Sequence, residues 1–276
     1  MMLHAVPDIS ANLKSHGAEL HIIGKNQATS HLPEYRHWHG KPFDGEMDID
    51  ERTRGLGGIP ASCGEENLLR LAQDRYLGRD ICVHEFAHTI HLYGLDDKLR
   101  RMIDSQYRRS IKKGLWTGCY AGTSVDEFFA ELCMWYFGTR GDFGKIKPTP
   151  GVGAEWLKRY DRQAFKLLDD LFNCRFSVKK VNLKKLRQRS IDLESQTKSK
   201  NADVRTQVVF RNNTESKLKL FWLDYEGKRK FYAEIQPMDY LLQHTFATHP
   251  WLITDDANDP KAIFIAHPYP GIAWIT

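Results

Sequence analysis

ICVHEFAHTIHLYG, residues 81–94, decides how the first two thirds of this 276-residue chain is read. Two histidines four apart, His84 and His88, share one face if the stretch is helical, with side-chain roots about 5–6 Å apart. Both imidazoles can then aim at a single ion. Glu85, one position round, can address a water that the ion activates, which is the arrangement of a zinc hydrolase. The helix is well bounded: Asp80 can cap its start, Ile81, Val83, Phe86, Ala87 and Ile90 give it a buried face, and Gly94 suits a left-handed residue at its end.

A third ligand must come from elsewhere, and YAGTSVDEFFAE, residues 120–131, supplies Glu127. Ser124-Val125-Asp126-Glu127 also fits a helix capping box, in which Glu127 would only bond the first turn. Glu131 follows one turn later on the same face, among the apolar Phe128, Phe129, Leu132, Trp135 and Tyr136. Two carboxylates pointing into such packing are costly unless they meet a cation or a donor. Glu127 on zinc and Glu131 bonded to the free nitrogen of a ligand histidine satisfies both, with exchanged roles as the competing arrangement. His91 lies on the face of His84, but the longer metzincin pattern needs Gly at position 91 and His at 94, the reverse of what stands here. His91 therefore reads as a satisfied residue of the core or behind the metal.

Composition frames these motifs. With 41% hydrophobic residues the chain can bury one sizeable core and a smaller companion. No stretch approaches the roughly 18 apolar residues of a membrane span, and the start lacks a signal-peptide pattern, which leaves open a cytoplasmic protein or one whose signal has been removed. The net charge of +5 is too modest and too dispersed to argue for nucleic-acid binding. Cys63, Cys82, Cys119, Cys133 and Cys174 form no CxxC pair and read mostly as buried thiols, with room for one disulfide in an exported protein. Glu65-Glu66 reads as a solvated pair, and Tyr35-Arg36-His37-Trp38-His39 as a surface loop or cleft wall rather than a second metal site.

The expected organisation is α+β: a mainly helical metallopeptidase domain with a small sheet over 1–177, a basic polar linker over 178–204, and a small all-β sandwich over 205–276. The linker follows from composition, since Lys179 to Arg205 carries nine Lys or Arg against three Asp or Glu and almost no aromatics. After it, TQVVFRNN, LKLFWLDY, KRKFYAEI and WLITDD are strand-like runs separated by turn residues.

HEFAH, followed by a tyrosine seven residues before the glutamate of EFFAE, resembles the catalytic domain of anthrax lethal factor and the Pro-Pro endopeptidases, which are gluzincin metallopeptidases of zincin fold. The resemblance implies one zinc ion (Zn2+) per chain held by His84, His88 and Glu127. It implies Glu85 as general base and Tyr120 as the hydroxyl that stabilises the oxyanion or protonates the leaving amine. It covers residues 55 to 175 and is specific at the two motifs. GLGGIPASCGEENLLRL lies where such enzymes keep an edge strand that pairs with an extended substrate.

The tail is similar to a second family. QVVFRNN, FWLDYEGKRKFY and HTFATHPWLI resemble the β-domain of the von Hippel-Lindau protein, whose pocket holds 4-hydroxyproline. The resemblance puts Trp222, Tyr232, Thr245, His249 and Trp251 at that pocket, with Thr245 where the family has serine. Two indoles and a phenol can enclose a pyrrolidine ring while a hydroxyl and an imidazole bond a hydroxyl on it. The chain ends where the family's helical ubiquitin-ligase adaptor domain would begin, so no such adaptor is expected. Joined, the two halves suggest a protease for proline- or hydroxyproline-rich polypeptides, and such substrates favour an extracellular location with the signal removed. The sequon Asn212-Asn213-Thr214 is compatible with export. The alternative is a peptide-binding protein with a structural or silent zinc site.

Overall fold

A computed structural model describes residues 2–40, 42–44, 47–200 and 204–276, and divides the chain into two units, Met1–Val181 and Asn182–Thr276. The protein is α+β, with helices concentrated in the first unit and sheets in the second.

In the first unit, β1 (Leu20–Ile23), β2 (Gly55–Leu56) and β3 (Ala61–Gly64) form a sheet in the order β1-β3-β2. β1 runs parallel to β3, with Leu20 opposite Ala61, and β2 runs antiparallel to it, with Gly55 opposite Cys63. The helices are α1 (Pro7–Ser15), α2 (Ile81–Thr89), α3 (Asp97–Lys112), α4 (Val125–Tyr136), α5 (Ala154–Tyr160) and α6 (Arg162–Phe172). α2 packs against both β3 and α4. α4 is buried from Asp126 to Trp135, as its run of aromatic and aliphatic residues requires. The loop before it is pinned by aromatic packing: Trp116 meets Tyr160 edge-on at 4.8 Å and donates its indole N–H to Asp161 at 3.0 Å.

α2 begins as expected, with the Asp80 carboxylate accepting from the Val83 N–H at 3.0 Å. Its end differs. Ile90–Gly94 form a wider π turn, and Gly94 is not left-handed. Space explains the glycine, because a Cβ there would stand 2.8 Å from Ile9 of α1.

The second unit is two four-stranded sheets. Its strands are β4 (Lys184–Lys185), β5 (Arg205–Asn212), β6 (Leu218–Leu223), β7 (Arg229–Ile235), β8 (Tyr240–Phe246), β9 (Pro250–Thr254), β10 (Pro260–Ile265) and β11 (Gly271–Ile275). One sheet runs β8-β5-β11-β4 and the other β10-β9-β6-β7. Val208, Phe210 and Ala273 of the first share a core with Leu220, Trp251, Ile253 and Phe264 of the second.

Residues 178–204, expected as a linker, belong in large part to this unit. Lys184–Lys185 pair in parallel with Gly271–Ile272, Leu186 is 2% exposed in the core, and Arg189 bridges to Ile263. Composition hides this because a lysine-rich edge strand puts its backbone in the ladder and its charges in water. Two smaller expectations also change. Glu66 is 5% exposed and bonded to Arg54 at 2.7 Å, so it is not solvated. Asn212 is 0% exposed, and its amide donates to the carbonyls of Ser216, Ile235 and Gln236, which removes it as an accessible sequon. Among the described residues all five cysteines are free thiols. No helix among them is long and apolar enough to cross a membrane.

Candidate functional site

The Asp80 cap and the buried apolar face of α2 fix which way its polar residues point. Asn67 adds to the anchoring by accepting the Ile81 N–H at 2.8 Å. His84 and His88 then turn towards α4, and their Nε2 atoms stand 3.2 Å apart. Glu127 arrives from α4, whose first turn is capped by Ser124. Its side chain does not close a capping box. Instead Glu127 Oε2 lies 3.2 Å from His84 Nε2 and 3.4 Å from His88 Nε2. Ligand atoms of His84, Glu85 and His88 also fall within 4.8 Å of one another. Glu127 stands against both imidazoles and is well placed as a third donor, and Glu85 stands beside the group.

Around this triangle the other expected residues take distinct places. Tyr120 opens a short turn and donates its hydroxyl to Glu127 Oε1 at 3.1 Å. Glu131, one turn beyond Glu127, stands 3.1 Å from His84 Nδ1. A carboxylate at that distance favours a proton on Nδ1. His91 points elsewhere, to Asp126 at 2.8 Å, inside the π turn. His39 bonds Ser30, while the side chain of His37 lies outside the described residues.

The electrostatics are strong because the groups are buried. Burial disfavours a charge on His84, but hydrogen bonds to Glu127 and Glu131 outweigh it and push its pKa up to about 10. Glu127 is held well below the usual carboxylate range: burial opposes its charge, and His88 together with the bonds to both histidines more than offsets that. The pocket is thus a concentration of negative potential facing two imidazoles, which is the environment in which a cation is stabilised.

Sequence reasoning missed one residue here. Arg79 donates from Nη2 to Glu131 at 3.0 Å. A lone arginine before a helix cap carries no pattern, and only the fold brings it to α4.

The second unit gathers its five expected residues as well. His249 stacks on Trp222 with centroids 5.1 Å apart, Tyr232 meets Trp251 edge-on at 4.9 Å, and Trp251 donates its N–H to Thr245 at 3.0 Å. Trp251 is a core residue, whereas Trp222 and Tyr232 are only half-buried and line the outer part of the group. Burial pushes the Tyr232 phenol up to about 12, which keeps it a donor at neutral pH. His249 follows Thr248, a β-branched residue at φ 77°, where strain of about 1–3 kcal/mol is stored beside the stack. Two partners were not anticipated: Ser199, which accepts the Trp222 N–H at 2.6 Å, and Tyr225, whose hydroxyl is 3.4 Å from His249 Nε2.

No curated protein matches the chain. Residues 197–266 match the VHL beta domain family, so the sheet-built unit with the Trp222 and His249 stack is similar to that domain.

Proposed function

We propose that the chain is a zinc-dependent endopeptidase of zincin type, with one Zn2+ held by His84, His88 and Glu127. The observation that carries this is the triangle of His84 Nε2, His88 Nε2 and Glu127 Oε2, whose edges are 3.2, 3.4 and 3.2 Å. Ligand distances of about 2.0–2.1 Å at tetrahedral angles correspond to donor separations of about 3.3 Å. A cation entering this triangle would displace the proton that His84 Nε2 shares with Glu127 and meet three donor atoms at once. The resemblance of HEFAH, Tyr120 and EFFAE to lethal-factor-like peptidases supports the same assignment.

When bound, zinc supplies Lewis acidity and lowers the pKa of water from about 15.7 to about 7. Glu85 takes the proton from the attacking water and passes it to the leaving amine. Tyr120 carries its hydroxyl at the edge of the donor triangle, where it donates to the developing oxyanion. β2 forms an edge of its sheet, and Gly55 and Gly57 lie against Glu85, so an extended substrate pairing with this edge passes the general base.

The substrates we propose are proline-rich or hydroxyproline-containing polypeptides recognised by the second unit. Trp222, Tyr232, His249 and Thr245 combine aromatic faces with hydrogen-bonding groups suited to a hydroxylated ring. Such chains are extracellular, and we extend the proposal to a secreted enzyme; the buried Asn212 adds nothing to it.

Zinc content and hydrolysis of a broad peptide panel, for the wild type and Glu85→Ala, test the proposal. Stoichiometric zinc with no cleavage of any peptide, including Pro-rich and hydroxyproline-bearing ones, would overturn it. That outcome favours the second reading, a peptide-binding protein with a silent or structural metal site. Its supporting observation is the family match of residues 197–266 to the VHL beta domain.

A further inference from the structure

We infer that Arg79 is a positioning residue of the metal site, acting on His84 through Glu131; this rests on the zinc reading above. Glu131 is 0% exposed, and a carboxylate so buried needs donors on both oxygens. Its Oε1 takes the Arg79 Nη2 at 3.0 Å and faces His84 Nδ1 at 3.1 Å. Its Oε2 accepts the backbone N–H of Asp142. A Cβ on Gly141 would come within 2.2 Å of that oxygen, so the loop closes on the carboxylate with no space to spare.

Charge makes the arginine necessary. With a cation on its Nε2, the imidazole of His84 would be neutral and bring Glu131 no compensating charge. Arg79 supplies that charge and, from the opposite side, fixes the direction in which Oε1 points. Arg79 is itself placed by the start of α2: it precedes the cap Asp80, and its carbonyl accepts from Asn67 at 2.8 Å and Arg70 at 3.0 Å. The same cap that orients the helix therefore orients the group that sets the imidazole.

The test uses the full chain and measures zinc affinity by chelator competition. NMR of the metal-free protein follows the His84 Nδ1–H. Arg79→Met is expected to weaken zinc binding roughly ten- to hundred-fold and to broaden or lose the Nδ1–H signal. Arg79→Lys, which keeps the charge without the fork, should fall in between. In a double-mutant cycle, Arg79→Met should cost little once Glu131→Gln is present. If Arg79→Met does not fold, Arg79→Lys decides, and a wild-type zinc affinity in it overturns the inference. Wild-type affinity and an unchanged Nδ1–H signal in folded Arg79→Met also overturn it. A wild type that takes up no zinc overturns the metal reading and this inference together, which separates the two failures.

Discussion

Gly57 packs so closely on His88 that a Cβ on the glycine would stand 2.5 Å from that of the histidine. The connection between β2 and β3 thereby reaches α2 with no side chain between them. Gly57→Ala must push the two apart, since its backbone is not left-handed and only space is at issue. We expect a loss of about 1–3 kcal/mol in stability with weakened zinc uptake, read by thermal melts with and without the ion.

Glu85→Gln keeps a side chain of the same shape but cannot take a proton. Zinc content should stay at the wild-type level while peptide hydrolysis falls by about two to four orders of magnitude. A variant that loses the metal along with activity would instead mark Glu85 as a ligand, in place of the Glu127 that stands 3.2 and 3.4 Å from the two imidazoles.

Removing the ion should loosen the first unit. At free zinc near a thousand times its Kd, binding contributes about 4 kcal/mol, which corresponds to roughly 10 °C in melting temperature for a domain of this size. Scanning calorimetry before and after chelation measures it. An unchanged melting temperature in a protein shown to have held zinc contradicts the expectation.

For the aromatic group, paired proline and hydroxyproline peptides separate ring recognition from hydroxyl recognition. His249→Ala removes an imidazole stacked on Trp222 and should abolish any preference for the hydroxylated peptide. Trp222→Ala should weaken both peptides. Equal wild-type affinity for the pair, measured by calorimetry, removes the hydroxyproline reading.

The Glu66–Arg54 pair gives a pH signature away from the metal. The bond to Arg54 lowers the folded pKa of Glu66, while its unfolded value is about 4.3. Its contribution is therefore present above that unfolded value and is lost as pH falls through the lower folded one. Glu66→Gln should lose stability near neutral pH and show a shallower decline in acid, followed by denaturant midpoints across that range.

Legibility in the sequence followed the range of the interactions. His84, Glu85 and His88 are set by helical spacing, and Asp80 caps by a rule spanning three residues, so both could be read locally. The second-unit strands were visible as β-rich runs separated by turn residues, and Trp222 and His249 through resemblance. Arg79, Ser199 and Tyr225 could not be read, because each acquires its role from a partner 23 to 52 positions away that only tertiary packing supplies. Glu66 and Asn212 misled for a related reason: polar letters suggest exposure until a half-buried guanidinium or three carbonyls satisfy them. The linker misled because charge composition describes side chains, while Lys184 and Lys185 take part through their backbone.

That short lysine strand determines where the chain can be divided. β4 covers the outer side of β11, and Leu186 beside it fills the core next to Gly271, where an added Cβ would come within 2.8 Å of the leucine. A fragment begun at residue 197, where the family match starts, would bare a row of amides and carbonyls along Gly271–Ile272 and open a hole behind them. Such an uncovered flank is a template for pairing with another copy. Solubility of the isolated sheet unit should thus depend on about a dozen residues that lie ahead of the matched stretch.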